Sequence, residues 1–275
     1  MLTSDLDERA RQGDRVALQQ LIDQAKPQMM AVVQRMVGHP EDVEDIVQDA
    51  LVSAVEKLDT FRRDASFSTW LTAIASRKAI DHLRYQQRWR TEAQVAYANL
   101  CARSEELSRE VMSAYADPAF AFEVRQHIAY CFTCVGRSLP PEELAALVLR
   151  DVIDMSGREA ATALGISDSV LRHRLSAARR AMSEKYEGLC ALVNKQGICH
   201  QCKGLQAIAP PDRKGTDFPD IEDFAERCSI VRNAPPDGGM AVLHSVFWRR
   251  TKQIEERGEG DTEPLSGCGD VNGET

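Results

Sequence analysis

The stretch from Leu139 to Lys185 constrains the fold more than any other part of this 275-residue chain. It reads LPPEELAALVLRDVIDMSGREAATALGISDSVLRHRLSAARRAMSEK. Pro140 and Pro141 open a helix whose apolar positions Leu144, Leu147, Val148 and Val152 keep helical spacing. Ser156 starts a second, short helix, and Glu159 stands three residues on to complete a capping box. Gly165 ends that helix where a sharp turn wants a positive φ. Ser167 caps a third helix with Leu171, Leu175, Ala178 and Met182 on one stripe and Ser169, Arg172, His173, Ser176, Arg179 and Arg180 opposite. A helix with an apolar back and an arginine-rich front, entered through a tight turn, fits the major groove of DNA. The ordinary alternative, a solvated helical hairpin, leaves unexplained why two caps and a turn glycine fall at the spacing this motif needs.

Charge opposes that reading until it is divided along the chain. The net charge is −8. Nine basic and fourteen acidic residues lie from Lys203 onward, a net of −5, which leaves −3 for the first 202. Within those, Arg77 to Arg90 holds five basic residues against one acid, and Arg172 to Arg180 holds four against none. Two basic faces on an acidic protein imply weak DNA binding that needs help from a partner, because phosphate neutralisation supplies most non-specific affinity.

Upstream, residues 1 to about 37 read as two or three amphipathic helices, with Leu18, Leu21 and Ile22 on one face and Met29, Met30, Val33 and Met36 on the next. After His39 and Pro40 comes EDVEDIVQDALVSAVEKLDTF, whose Val43, Ile46, Val47, Ala50, Leu51, Ala54, Val55 and Leu58 form a regular apolar face. Its other side carries Asp42, Glu44, Asp45, Gln48 and Asp49. In the next segment, FSTWLTAIASRKAIDHLRYQQRWR, Trp70, Leu71, Ile74, Ala75, Ala79 and Leu83 point to a core. Arg77, Lys78, Arg84 and Arg88 line its outside, with His82, Tyr85 and Trp89 among them. Cations interleaved with aromatics suit single-stranded nucleic acid, since cations track the backbone and rings stack on unpaired bases. A plain acidic face and a plain basic surface helix are the ordinary readings of these two segments taken singly.

Taken together and in this order, DVEDIVQDAL, FSTWLTAIASRKAIDHLR and the LPPEE…GREAATALGIS…VLRHRLSAARR block resemble a bacterial RNA polymerase sigma factor of the extracytoplasmic-function group. The resemblance covers about residues 10 to 90 as region two and 139 to 185 as region four. It implies that Asp45, Gln48 and Asp49 dock on a coiled coil of the polymerase β′ subunit. It also implies that Trp70, Arg77, Lys78, Asp81 and Arg84 lie near the melted −10 element, with Tyr85 and Arg88 continuing that face. The −35 reader then comprises Ser169, Arg172, His173 and Arg174, with Ser176 and Arg179 on the same helix. The chain departs from the usual pattern where an Arg-Asn pair is common and Ser76-Arg77 stands instead. The partners implied are core RNA polymerase through its β′ and β subunits, promoter DNA, and an anti-sigma protein as a candidate.

The remaining features are particular to this chain. Thr91 to Ser138 is longer than a simple linker, and Glu105 to Met112 and Phe120 to Ala129 read as helices within it. Cys131-Phe-Thr-Cys134 precedes the reader, and Cys190 and Cys199-His-Gln-Cys202 follow it. Two CxxC pairs are the units of four-thiolate zinc sites, so Cys131, Cys134, Cys199 and Cys202 form the candidate zinc set. An iron–sulfur cluster or thiol sensor drawing in Cys190 or His200, and plain burial of small side chains with no metal, are the alternatives. Cys101, Cys228 and Cys268 stand alone. Beyond Lys203, IEDFAERCSIVRN and MAVLHSVFWRRTKQIEER read as helices with Phe218, Phe224, Ile230, Val242, Leu243 and Phe247 to bury against the two domains, as a brake or as an inert appendage. GEGDTEPLSGCGDVNGET reads as disordered.

The expectation is an all-α protein: region two (1–90), a helical linker (91–138), region four with flanking cysteines (139–202), and a partly disordered C-terminal extension (203–275). No apolar run reaches membrane-spanning length and the N-terminus is polar and acidic, so the expected location is cytoplasmic, without membrane insertion. Strand–helix alternation, a phosphate-cradling glycine loop and HExxH are all missing, which argues against an enzyme. A sigma-like decoy that sequesters an anti-sigma protein is the rival reading, as is a metal- or redox-sensing helix-turn-helix regulator. The decoy has no use for the aromatic and basic −10 face.

Overall fold

The structure, a computed structural model, describes residues 2–256 apart from 62–64, 87, 88, 90, 216, 222, 236 and 237, with the side chains of 2–5 and 251–256 also excluded. Arg88, Cys268 and the Gly-rich acidic end expected to be disordered lie outside the described residues. Among the described residues there are thirteen α-helices, and the expected all-α class holds.

The first unit comprises α1 (Leu2–Arg11), α2 (Arg15–Val37), α3 (Pro40–Glu56) and α4 (Phe67–Tyr85). Asp14 caps α2 by accepting from the Val16 and Ala17 amides at 2.9 and 3.1 Å. Gly38, at φ 84°, ends α2, and Pro40 opens α3. Helices α2, α3 and α4 pack on one another around Leu21, Met29, Val33, Met36, Ile46, Val47, Leu71 and Ala75, all buried. Phe61, Phe67 and Trp70 cluster at one end with ring centroids 5.3 to 5.5 Å apart. The apolar face of α3 stops short of the sequence expectation, for Val55 is 52% exposed.

Between the two units the chain forms α5 (Ala93–Arg103), α6 (Glu105–Ala116) and α7 (Val124–Gly136). Helix α6 begins where expected and runs one turn further. Helix α7 differs: Phe120 to Glu123 is non-helical, and the helix extends through the cysteine pair to Gly136. All its residues except Arg125 are buried. It touches α2 and α5 on one side and, on the other, α10, α11 and α12, whose ranges follow. A segment that read as linker is the central strut of the molecule.

The second unit holds α8 (Pro141–Leu147), a π-helical turn over Val148–Val152, α9 (Gly157–Leu164) and α10 (Asp168–Leu189). After it come α11 (Gln201–Ile208), α12 (Phe224–Asn233) and α13 (Ala241–Glu256). The extension docks back as its apolar residues predict. Leu243 and Phe247 are buried, while Phe218, Phe224, Ile230 and Val242 are partly so. Helix α12 lies on α7, α10 and the π turn, and α13 lies on α6. Arg35 of α2 donates to the carbonyls of Val231 and Ala234, and Arg232 donates to Asp151 O at 2.8 Å and pairs with Asp154 at 3.2 Å. The extension therefore ties both units together.

Candidate nucleic-acid interface

The reader is built as its caps dictate. Ser156 Oγ accepts from the Glu159 amide at 3.2 Å while Glu159 accepts from the Ser156 amide at 2.9 Å, so the capping box closes α9 in both directions. The Ser156 side chain and then its amide hold the Glu159 carboxyl below its ordinary pKa. Gly165 takes the left-handed conformation, φ 65° and ψ 36°, and Ser167 caps α10 through the Val170 amide. Leu171, Leu175, Ala178 and Met182 are buried as expected. Ser169, Arg172, His173 and Ser176 are exposed on the opposite face, and Arg174 is half-buried at its edge. Arg179 is engaged: it makes a bidentate pair with Asp151 of the π turn at 2.6 and 2.7 Å, which braces α10 against the preceding helix.

The −10 candidates share one helix but not one environment. Arg77, Asp81, Arg84 and Tyr85 are exposed, with Tyr85 92% accessible, whereas Lys78 and Trp70 are half-buried. Helix α4 is buried beyond its expected core stripe, because Thr69, Thr72, Ala73, Ser76 and Ile80 are also covered. The reason is that α8 and α9 of the second unit pack against its other side. Arg77 Nη2 lies 3.5 Å from where a Cβ on Gly165 would stand. Arg84 donates to Glu142 of α8 at 2.6 and 3.0 Å and to Asp81 at 2.9 Å. Burial acts to raise the Glu142 pKa, but the bond and charge of Arg84, its own backbone amide and the charge of Arg174 together hold the carboxyl below its usual range. Trp89, expected outside, instead stacks in an aromatic nest with Trp248 and Phe247, centroids 5.5 and 5.8 Å away, under Arg137.

On α3, Asp45, Gln48 and Asp49 are exposed as expected, and Lys78 approaches Asp49 at 3.6 Å. The sequence reading missed Val52. It stands four residues after Gln48 on that same face, and with Val55 it adds an exposed apolar strip beside the acids. An apolar residue breaking an acidic face at helical spacing was the available signal.

The cysteines gather differently from the two CxxC pairs. Cys131 sits within electrostatic reach of Cys190 and Cys199, and Cys202 within reach of all three. Cys134 packs instead with Tyr130, Phe247 and Trp248. Burial pushes the Cys131 thiol up to about 12 and the Cys134 thiol well above its ordinary value. Among the described residues no group of three or more His, Cys, Asp or Glu stands ready to hold a metal as the side chains lie.

An exposed, doubly capped reader helix and a basic, aromatic helix joined through an all-α frame define a DNA-reading protein of the helix-turn-helix class. Two family models match the chain: Sigma-70 region 2 over residues 21–89, and Sigma-70, region 4 over residues 132–182, which begins within α7. An RNA polymerase sigma factor, NccH, of Alcaligenes xylosoxydans xylosoxydans is 33% identical over 180 residues, covering 65% of this chain and 91% of that protein. The ECF RNA polymerase sigma-E factor of Escherichia coli K12 is 29% identical over 184 residues, covering 67% of this chain and 94% of that one. Among solved structures, that of CnrH in complex with the cytosolic domain of CnrY is 26% identical with a TM-score of 0.46, covering 66% of this chain and 95% of that one. The chain belongs to the sigma-70 family of RNA polymerase sigma factors, in its extracytoplasmic-function group. The matched relatives account for the two units; α12 and α13 lie beyond the region four match.

Proposed function

We propose that this protein binds core RNA polymerase, carries it to a subset of promoters and assists melting at the −10 element, performing no chemistry of its own. The observation that carries the reading is the occurrence of both sigma regions, in order, in one chain whose α10 presents Ser169, Arg172 and His173 outward. Arg172, His173 and Arg174 are assigned to −35 recognition, with Ser169 and Ser176 at the groove edge. Arg179 serves as a brace that sets the helix angle, since its guanidinium is already bound to Asp151. Trp70, Arg77, Lys78, Asp81, Arg84, Tyr85 and Arg88 are assigned to the −10 strand, with Tyr85 as the stacking ring. Asp45, Gln48 and Asp49, flanked by Val52 and Val55, are assigned to the polymerase β′ surface; a strip of exposed valine beside carboxylates is what a protein partner desolvates.

No helix among the described residues is long and apolar enough to cross a membrane, and a cytoplasmic location is proposed with the rest. An anti-sigma protein is proposed as a further partner.

Run-off transcription tests the reading. Purified protein plus core polymerase on a genomic-fragment library should give discrete transcripts. Arg172→Ala should weaken −35 binding by about 1 to 3 kcal/mol while leaving polymerase affinity unchanged. Absence of transcripts together with absence of polymerase binding would replace this reading with the decoy.

A further inference from the structure

Arg227 is the feature that the transcription reading leaves without a purpose. It sits on α12, is 2% exposed, and its partners are the Cys190 sulfur, to which Nη2 donates at 3.4 Å, and the Tyr186 ring, 3.9 Å from its guanidinium. No carboxylate pairs with it among the described residues. A buried cation normally requires an anion, because stripping its hydration costs several kcal/mol. The ionisable groups around this one are the Tyr186 phenol, which burial holds neutral, and thiols. Cys131 and Cys190 both bear on it, and it bears in turn on Cys131, Cys199 and Cys202. Anions are available here only if those thiols become thiolates.

The backbone around them is arranged for that. Residues 190 and 199 are paired side by side, with Cys199 N donating to Leu189 O at 2.8 Å and Ala191 N to Cys199 O at 3.1 Å. The loop between them closes so tightly that a Cβ on Gly197 would stand 2.5 Å from the Cys190 carbonyl carbon. Cys199 precedes α11 and Cys202 lies in its first turn, so the CxxC spans a helix N-terminus, where unbonded amides favour negative charge. Cys131 approaches from α7, fixed by Gln94, whose Nε2 lies 3.6 Å from its sulfur and whose carbonyl accepts from Gln201 at 2.7 Å.

We propose that Cys131, Cys190, Cys199 and Cys202 form a four-thiolate site for one zinc ion, with Arg227 as its buried counter-cation. The side chains turn about χ1 onto the metal, and each thiol gives its proton to solvent as the metal binds. Four thiolates around Zn²⁺ leave two net negative charges, and the guanidinium offsets one of them while hydrogen-bonding a ligand sulfur. Cys190 takes the place that the CxxC pattern gives to Cys134. The site fastens the strut α7, the end of the reader helix, α11 and, through Arg227, the extension. It does not depend on the promoter reading.

The test uses full-length protein purified under reducing conditions, loaded with Zn²⁺ and desalted. A mercurial titration with a colorimetric zinc indicator should release about one zinc per chain. Co²⁺ in its place should give the thiolate charge-transfer and tetrahedral ligand-field bands of a four-sulfur site. Cys190→Ser and Cys202→Ser should lose the metal, whereas Cys134→Ser and Cys228→Ser should keep it. Arg227→Gln should weaken affinity roughly tenfold to a hundredfold with the cobalt spectrum unchanged. Loss of metal in Cys134→Ser with retention in Cys190→Ser would overturn the assignment in favour of the two-CxxC set. No stoichiometric metal in the wild type, iron–sulfur absorption in anaerobically purified protein, or a Cys190–Cys199 disulfide in the reduced preparation would each overturn it outright. The wild-type cobalt spectrum and the Cys134→Ser result keep the test decisive where a ligand variant fails to fold.

Discussion

Gly38 shows how much one position can carry. It ends α2 at φ 84°, and a Cβ there would stand 2.3 Å from the Trp248 ring, with Thr133 Cγ2 at 3.0 Å. The same hydrogen atom thus permits the turn between α2 and α3 and leaves room for the extension's tryptophan. Gly38→Ala should cost at least about 1 kcal/mol from the backbone alone, plus the displacement of a ring packed against Trp89 and Tyr130. Thermal unfolding should show the lowered melting temperature and tryptophan emission should move to longer wavelength. In a Trp248→Ala background only the backbone share should remain; an undiminished cost there would mean the ring is not what Gly38 makes room for. That α2 ends near residue 37 was legible from His39 and Pro40, whereas the contact of Gly38 with residue 248 was not, since nothing local encodes a neighbour 210 positions away. Arg179 teaches the same lesson. Its place on the outward stripe marked it as a DNA contact, but Asp151 claims it across the turn.

At the scale of elements, both ends of α9 and the start of α10 were legible to the residue because Ser156, Glu159, Gly165 and Ser167 are local signals that work through local hydrogen bonds. Helix α7 was not, because a helix buried on every side loses the polar stripe that sequence periodicity reports. Its central role has a consequence for pH. His127 of α7 and His244 of α13 lie with ring nitrogens 3.1 Å apart, and His244 stacks on Tyr130 at 4.1 Å. Burial lowers the His127 pKa to about 4, against an upward pull from Gln201, and burial with His127 lowers His244 well below its ordinary value. Both rings are neutral in the fold, while in the unfolded chain they take up protons near pH 6.5. Between those values the unfolded state binds more protons, so the stability these rings contribute is full above about 6.5 and is lost as pH falls toward 4. Denaturant unfolding should therefore show a loss on the order of 2 kcal/mol between about pH 7 and 5.5. His244→Phe, which keeps the stack, should remove about half of that slope. A slope unchanged in His244→Phe would assign the acid sensitivity elsewhere.

Across the whole molecule, the two sigma blocks were legible because each carries its own caps and stripes, but their mutual arrangement was not. The extension was a candidate cover for a basic face; in the structure its main contacts are with α6, α7, α10 and the π turn, and the cover over α4 is the second unit itself. Helix α9, whose buried residues Ala160, Ala161 and Ala163 are all small, lies against α4, and Arg84 of the −10 face is bound to Glu142. On the assignment proposed above, a promoter strand takes Arg84 from Glu142, so engagement with the −10 element requires the two units to part. The ion pair is half exposed, with side-chain exposures of 54% and 25%, and solvent screening leaves such a pair a small contribution; the small-residue packing holds the rest of the closure. Charge reversal turns that contribution into repulsion of similar size. Glu142→Arg should therefore shift the balance toward the open arrangement by roughly tenfold, without touching a residue assigned to DNA. Fluorescence anisotropy with a labelled single-stranded −10 oligonucleotide should report tighter binding by the free protein, and limited proteolysis should cut sooner between α4 and α7. Added to core polymerase, whose binding on this reading draws the units apart, the variant should match the wild type. Equal oligonucleotide affinity in the two free proteins would mean that the contact between α4 and the second unit does not limit access to the −10 face.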